Sequence, residues 1–387
     1  MLTMIENLKR RYANLSGTGF SEKSMYAAFV RLKQTLFKRG VVDLNGSRTW
    51  PVKGHRPHKD ALSPLPQRIV CLTGFGHSGS GAVADLLSEY DEVQVMSHID
   101  LNGSLRSVSA EEFDLLCGAG GLFSLEDAFN TNNERVRDLT VKMFLRFVDS
   151  LYIYSCGAFN DDFIELTRNF LDKIISWRTE EGLHGGFAFC PHLSVLGTHG
   201  QRLVLGSAGV CWLKDLSVTE YRSIASDYAR KVLALISDEH CKMLVLDQAL
   251  TDGSCDIEKY EDYLGEIRLI ATYRDPRDVY ATGRILEESW IPSDPDFFVR
   301  WYLKRLKPYV HAHHPHFKLL RFENLVLKYN ETVGEVEHFL GLSPCAHTRM
   351  RAGFDPSCSI KNIGIWREFS DQNVVRYIES KLKELCF

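Results

Sequence analysis

Short apolar runs and longer segments of helical periodicity alternate along most of the chain. The apolar runs are continuous rather than alternating, as in parallel strands that are buried on both faces. Five of them stand out: Ile69–Thr73, Val93–Ser97, Met243–Asp247, Ile267–Tyr273 and Phe317–Arg321. Because helical patterns separate most of these runs, the sequence predicts an α/β fold with three layers, α/β/α, around a central parallel sheet.

A long segment, residues 106–239, interrupts this alternation and mostly reads as helix. Its clearest predicted helices are Val136–Tyr154, Asp162–Ile175 and Val218–Ser237. We therefore expect an α/β core over 67–105 and 240–387 that carries a mostly helical insert. Residues 1–66 are predicted to form a basic helical arm and a linker, because helical spacing gives way there to a stretch rich in Pro, Gly, His and Lys.

The charge is unevenly spread along a chain of otherwise ordinary composition. The hydrophobic fraction of 44% and the net charge of −4 are typical of a soluble globular protein. Residues 1–60, however, hold 12 Lys and Arg against 4 Asp and Glu. This excess indicates either a solvated basic arm or an arm that docks on an anionic surface, such as a phospholipid leaflet or an acidic glycolipid. We expect no nucleic-acid partner.

The N-terminal residues lack the uninterrupted apolar stretch of a signal peptide, and no stretch approaches the length of a membrane span. The ten cysteines are scattered without Cys-x-x-Cys pairs, which is typical of reduced cysteines in an intracellular protein. These patterns predict a cytoplasmic protein, in peripheral contact with a membrane if the basic arm docks there.

A glycine- and serine-rich turn, Gly74-Phe-Gly-His-Ser-Gly-Ser-Gly-Ala82, follows the first predicted strand and precedes a helical pattern. Strand, glycine loop and helix together hold phosphate groups, because backbone N–H groups converge on the anion at the positive end of the helix dipole. The plainer interpretation is a tight strand-to-helix turn. The Gly-Lys-Ser/Thr of an ATP-binding P-loop is absent, since no lysine occurs from Ala61 to Arg106.

The fourth predicted strand ends in Arg274-Asp-Pro-Arg-Asp-Val-Tyr-Ala-Thr282. Arg274 can bind a phosphate through two hydrogen bonds, and Thr282 lies about two helical turns further on, where its hydroxyl can reach the same anion. The alternative for Arg274 is a buried structural ion pair. Arg277 and Asp278 are predicted to form an exposed pair.

Together these segments resemble the sulfotransferases that use 3′-phosphoadenosine 5′-phosphosulfate (PAPS). In that family a loop reading roughly Lys-Ser-Gly-Thr-Thr binds the 5′-phosphosulfate, and a later Arg-x-Pro-(Arg/Lys)-Asp/Glu-x-x-x-Ser stretch binds the 3′-phosphate. Here His77-Ser-Gly-Ser-Gly81 stands at the first place and Arg274–Thr282 at the second. Leu320-Arg-Phe-Glu-Asn-Leu325 and Phe339-Leu-Gly-Leu342 match two further family segments. Ser359-Ile-Lys-Asn-Ile-Gly-Ile-Trp366 loosely resembles the loop that closes over the 3′-phosphate.

The resemblance implies a P-loop NTPase-like sulfotransferase fold, PAPS as the sulfuryl donor and no requirement for a metal. The residues implied to bind the cofactor are Gly76, His77, Ser78, Gly79, Ser80, Gly81, Ala82, Arg274, Thr282, Phe322, Lys361, Asn362 and Gly364. His77 occupies the place of a lysine or arginine in many members. It is a catalytic candidate there, because a histidine can donate a hydrogen bond to the leaving phosphate.

The acceptor hydroxyl needs a general base, and several family members place it just after the second strand. His98 and Asp100 are the candidates in this chain. The basic arm and the insert, which we expect to form a lid or an acceptor-binding subdomain, favour a carbohydrate or glycolipid acceptor.

Two other functions stay open. The first is a small-molecule kinase that uses MgATP, since Met243-Leu-Val-Leu-Asp247 looks like a strand that ends in a magnesium-binding aspartate. The second is a catalytically degenerate nucleotide-binding scaffold. The run His311-Ala-His-His-Pro-His316 has no carboxylate or cysteine at ligand spacing, so a solvated helix end is favoured over a metal site.

Overall fold

The structure is a computed structural model that describes residues 65–96, 120–154, 161–178, 211–247, 249, 256–288 and 290–387. Residues 1–64, which make up nearly all of the predicted arm and linker, lie outside the described residues. The base candidates His98 and Asp100 lie outside them as well.

The central sheet has five parallel strands in the order β2-β5-β1-β6-β7. These strands are β1 (Arg68–Gly74), β2 (Val93–Met96), β5 (Met243–Leu246), β6 (Ile267–Tyr273) and β7 (Phe317–Arg321), and a separate antiparallel pair consists of β3 (Ile175–Arg178) and β4 (Cys211–Leu213). All five predicted strands are confirmed, and the last two agree residue for residue.

The described helices lie between the strands in the order that the polarity pattern predicts. They are α1 (Ser80–Leu87), α2 (Leu122–Asp127), α3 (Glu134–Tyr154), α4 (Asp161–Ile174), α5 (Val218–Ile236), α6 (Ile257–Leu264), α7 (Pro276–Ile285), α8 (Pro295–Val310), α9 (Phe322–Leu327), α10 (Tyr329–Leu340), α11 (Pro356–Ser359) and α12 (Gln372–Leu382). Short 3₁₀ turns follow at Pro344–Ala346, Ile360–Asn362, Ile365–Arg367 and Lys383–Leu385. None of the described helices combines the length and apolar composition that crossing a bilayer requires.

The residues fall into two compact units, of which the larger comprises Gly54–Asp275 and Trp301–Ile363 together with Phe387. Side chains alternate across its sheet: Ile69 and Cys71 of β1 join one hydrophobic cluster, and Val70 and Leu72 join another. The first cluster contains buried residues of α2 to α6, and the second contains those of α1, α9 and α10. The predicted three-layer α/β/α fold is therefore confirmed.

Helices α3, α4 and α5 belong to the segment predicted as an insert, and they match the three helices expected there to within two residues. Phe144 of α3, Phe170 of α4 and Tyr228 of α5 are buried in the same cluster as the sheet residues. Phe170 stacks on Tyr228 with ring centroids 4.6 Å apart. These helices thus bury their apolar faces in the core of the larger unit, while the boundaries and the lid role assigned to the insert stay predictions.

The smaller unit includes Pro276–Arg300 and Gly364–Cys386. Tyr280 of α7 holds it together, since its ring contacts Phe298 edge-on at 5.0 Å and Phe369 at 5.9 Å. Its hydroxyl donates a hydrogen bond of 2.7 Å to the carbonyl of Ser293.

A buried carboxylate joins three helices of the larger unit. Glu126 of α2 accepts hydrogen bonds from Arg222 of α5, at 2.8 Å from Nε and 2.9 Å from Nη2, and from the hydroxyl of Tyr263 of α6. Burial alone would raise the pKa of Glu126, but the hydrogen bonds from Arg222 and Tyr263 lower this pKa below its ordinary value. The ionised form is therefore the one that the fold stabilises.

We expect Glu126→Gln to lower the free energy of unfolding by about 2–3 kcal/mol at pH 7, because charge-assisted hydrogen bonds contribute about 1.5–3 kcal/mol each. A lowered folded-state pKa contributes stability above the unfolded-state pKa of about 4.3, and that stability is lost as the pH falls through the folded-state value. The difference from the parent should shrink accordingly in urea denaturation at acidic pH. Glu134→Gln, which removes an exposed pair with Arg137, is the control. Equal losses in both variants would contradict this role of Glu126.

Candidate anion-binding site at the carboxyl edge of the sheet

Strand β1 lies at the point where the strand order reverses. It pairs with β5 on one side and with β6 on the other, and all three run parallel. In open α/β sheets, ligands bind outside the carboxyl ends of the strands at such a switch point. The register sets Gly74, the last residue of β1, opposite Thr272 of β6. The glycine loop and Arg274 consequently leave the sheet side by side.

The glycine loop after β1 is held tightly from within. The Ser78 amide donates a hydrogen bond of 2.9 Å to the carbonyl of Phe75, and the buried Ser78 and Thr272 hydroxyls lie 2.9 Å apart. A Cβ atom at Gly74 would lie 2.3 Å from the Ser78 hydroxyl, so only glycine fits where β1 ends. The loop is thus anchored to the neighbouring strand through side-chain hydroxyls.

His77 adopts a left-handed backbone conformation, with φ of 60°. For a residue with a Cβ atom this conformation costs about 1–2 kcal/mol, and such strain is concentrated at binding and catalytic sites. In this loop the strained residue is the one that the sequence predicts to be catalytic.

Helix α1 begins directly after the loop, with the left-handed Gly79 (φ 103°) as its N-cap. In the part of the chain that the structure describes, no side chain caps this end. Among the described residues, none would lie within 4 Å of a Cβ atom at Gly81, so none of them covers the first turn at this position. A helix N-terminus that is left uncovered is the arrangement that binds anions.

Arg274 connects this loop to two other segments. Its side chain is buried to 6% exposure. Nη1 donates a 3.4 Å hydrogen bond to the carbonyl of His77, Nη2 donates to the carbonyl of Asn362, and the guanidinium lies 5.3 Å from the centroid of the Phe322 ring. Its own carbonyl accepts a hydrogen bond from the hydroxyl of Tyr302. One guanidinium thus joins four segments singled out in the sequence, which contain His77, Arg274 itself, Phe322 and Asn362.

Phe322, the first residue of α9, packs beneath the loop as well as beneath Arg274. A Cβ atom at Gly79 would lie 2.6 Å from Cδ2 of Phe322. The glycine is therefore required both by its backbone conformation and by the ring below it.

Glu323, the residue after Phe322, holds in place the backbone that follows Arg274. Its carboxylate accepts a hydrogen bond of 2.8 Å from the amide of Asp275, and its side chain is fully buried. Burial raises the pKa of the Glu323 carboxyl above its ordinary value. The sequence feature that could have identified Glu323 is its position in the segment Leu320-Arg-Phe-Glu-Asn-Leu325.

In the smaller unit, Asp278 organises the loop that contains Gly364. Its carboxylate accepts hydrogen bonds from the amides of Gly364, at 2.8 Å, and Trp366, at 3.1 Å. Arg277 lies 4.1 Å over the Trp366 ring and pairs with Glu379 at 3.3 Å. Arg277 and Asp278 are only 4% and 1% exposed, so the predicted exposed pair is wrong: each has partners that justify its burial.

Three further residues singled out in the sequence have the following positions. Thr282 is half-buried on α7, and in the part of the chain that the structure describes no hydrogen-bond partner reaches its buried hydroxyl oxygen. Lys361 is exposed in the 3₁₀ turn Ile360–Asn362. Asp247 follows β5 at the same edge of the sheet as the glycine loop, as expected for a strand-end residue.

Several solved structures are similar to this chain at low identity. The sulfotransferase domain of the Synechococcus PCC 7002 olefin synthase shares 13% identity over 83% of this chain and 96% of that domain, with a TM-score of 0.35. The sulfotransferase STF1 of Mycobacterium tuberculosis shares 12% identity over 83% of this chain and 77% of its own, with a TM-score of 0.34.

A retinol dehydratase, solved with androsterone and the inactive cofactor PAP, shares 14% identity over 83% of this chain and 81% of its own, with a TM-score of 0.33. No protein-family model and no curated protein matches the chain. The names of the similar structures agree with the family that the motifs resemble. At TM-scores below 0.5 the likeness is too distant to carry an argument, so the function rests on the chain's own residues.

The two glycines at the start of α1 make a matched pair. We expect Gly79→Ala to lower the free energy of unfolding by about 2–4 kcal/mol, through the left-handed backbone and the contact with Phe322. Gly81→Ala should leave it unchanged or raise it by up to about 1 kcal/mol, because alanine is favoured inside a helix and meets no atoms there. Urea denaturation measures both. Equal losses would rule out the close approach of Phe322 to the loop.

Proposed function

We propose that the chain is a sulfotransferase that moves a sulfuryl group from PAPS to a hydroxyl of an acceptor. The observation that carries the proposal is the position of Arg274, which contacts His77, Asn362 and Phe322. These residues belong to separate motifs of the PAPS-dependent family, and a single guanidinium touches all three segments.

The residues present fit a donor that carries two anionic groups. The uncapped start of α1, which no described residue covers at Gly81, suits the 5′-phosphosulfate. Arg274 suits the 3′-phosphate, because its contacts to the carbonyls of His77 and Asn362 and to the Phe322 ring hold the fork of N–H donors in one orientation. The resemblance assigns Thr282, Lys361 and Gly364 to the 3′-phosphate as well.

Bound PAPS would supply an activated sulfuryl group, whose departure leaves negative charge on the 5′-phosphate. His77 would stabilise that charge with a hydrogen bond, together with backbone N–H groups from Ser78 to Ala82. His98 or Asp100 would take the proton of the acceptor hydroxyl.

For the acceptor we favour a carbohydrate or a glycolipid, on the strength of the basic residues 1–60, which would also bring the protein to an anionic membrane surface from the cytoplasm. Retinol dehydratase has been solved with retinol and with androsterone, so small apolar alcohols are the other acceptor class to be assayed. A hydroxyl library that contains both classes distinguishes them.

A thermal-shift titration tests the donor. Adenosine 3′,5′-bisphosphate (PAP) should raise the melting temperature in the absence of magnesium, since ligands that bind the folded state stabilise it by mass action. Stabilisation by MgATP alone would overturn the proposal in favour of a small-molecule kinase. Binding of PAP without turnover of PAPS on any acceptor would favour the degenerate scaffold.

Arg274→Ala should weaken PAP binding by on the order of ten- to a hundredfold, because each charge-assisted bond contributes about 1.5–3 kcal/mol. Binding of adenosine 5′-monophosphate, which has no 3′-phosphate, should change far less. Isothermal titration of both nucleotides measures the contrast. Arg376→Ala removes an equal charge from the exposed surface of α12 and should leave both affinities unchanged. Equal weakening of both nucleotides by Arg274→Ala would reject the 3′-phosphate assignment.

His77→Ala should lower kcat by about 100-fold or more with little loss of PAP affinity, because the charge that His77 meets develops in the transition state. His77→Lys should keep much of the activity. His77→Gly distinguishes the role of the side chain from that of the backbone conformation, because glycine lacks the side chain and adopts φ of 60° without strain. Activity in His77→Gly close to that of the parent would show that the side chain takes no part in the reaction.

A further inference from the structure

The histidines just before β7 divide into two pairs. His311 and His313 are exposed, whereas His314 and His316 are half-buried. Sequence spacing offers these histidines no acidic partner, but the fold supplies one: Glu261 of α6, 55 residues before His316, reaches the half-buried pair. All three residues belong to the larger unit.

The three side chains converge on one point. Nδ1 of His316 lies 2.7 Å from Oε1 of Glu261, and the backbone amide of His316 donates a hydrogen bond of 3.1 Å to Nδ1 of His314. The two imidazole rings stand at 76° with centroids 5.1 Å apart. One potential ligand atom from each of the three residues lies within 4.8 Å of the other two. Such spacing is compatible with three ligands on one metal ion.

A metal ion binds a ring nitrogen whose lone pair is free, so an ion bound at Nδ1 of His314 would replace the hydrogen bond that this atom accepts from the His316 amide. A tetrahedral Zn²⁺ site with bonds of about 2.0–2.1 Å separates neighbouring ligand atoms by about 3.3 Å. The Glu261 and His316 side chains, 26% and 24% exposed, have room to rotate by the small amount that this requires.

A second carboxylate lies behind His316. Oε1 of Glu266 is 4.0 Å from Nε2 of His316, and it also pairs with Arg268 at 2.8 Å. Histidines that bind a metal usually direct their other ring nitrogen to such a carboxylate, which fixes the tautomer and the ring orientation. Glu266 can fill that role for His316.

We propose that Glu261, His314 and His316 form a binding site for Zn²⁺, with water in the fourth position. Two imidazole nitrogens and one carboxylate oxygen match the ligand preference of this ion. The ion would join α6 to the residue that precedes β7 and so fasten a surface helix to the edge strand of the sheet. The site is separate from the glycine loop and takes no part in sulfuryl transfer.

The chain offers a matched control for this proposal. Full-length parent protein, His314→Ala, Glu261→Gln and the double variant with His311→Ala and His313→Ala are titrated with Zn²⁺ in competition with a chromophoric chelator. The parent and the double variant should bind one equivalent with equal affinity. His314→Ala and Glu261→Gln should each weaken binding at least about tenfold. Circular dichroism confirms that every variant is folded.

Two further readouts address the ligands themselves. Co²⁺ should give the intense visible absorption of a tetrahedral site in the parent and the double variant only. Zn²⁺ affinity should fall at acidic pH, because protons compete with the metal for its ligands. The proposal is overturned if the parent binds no stoichiometric Zn²⁺, if His314→Ala and Glu261→Gln bind as the parent does, or if the exposed pair, His311 and His313, proves to be required.

Discussion

The parallel pairing of β1 with β6 is the constraint on which the candidate site depends. It sets Gly74 opposite Thr272, so the chain leaves both strands at the same edge of the sheet. The hydroxyls of Ser78 and Thr272 then meet at 2.9 Å and tie the glycine loop to β6. A shift of one residue in this register would turn each side chain to the opposite face of the sheet and would also separate the loop from Arg274.

The burial of Arg274 has a physical consequence for recognition. A guanidinium that leaves water loses hydration, and hydrogen bonds to the carbonyls of His77 and Asn362 offset that loss. The aromatic face of Phe322 adds attraction for a cation while excluding water. Together these contacts hold the Arg274 guanidinium in one orientation, as the proposed contact with a phosphate requires.

Much of the fold could be predicted from the sequence because continuous apolar runs in this chain are strands and long amphipathic segments are helices. The glycine loop and Arg274 could be predicted as a pair because each lies in a motif that resembles one of the PAPS-dependent sulfotransferases. The burial of Asp278 could not, since its partners are amides of Gly364 and Trp366 far along the chain. The contact between Glu261 and His316 could not be predicted either, because it depends on how α6 packs against the sheet. The proposed bases His98 and Asp100 stay predictions.

The sequence separation within the site bears on how the protein folds. Ser78 and Thr272 are 194 residues apart, and the strands that carry them are direct neighbours in the middle of the sheet. Closing so long a loop is entropically costly, and chains dominated by distant parallel contacts fold slowly, often through intermediates. The candidate anion site therefore cannot form in a nascent chain that has not yet been synthesised beyond β6. Nucleotide binding would thus report the completed assembly of the central sheet during refolding, in contrast to probes of helix content.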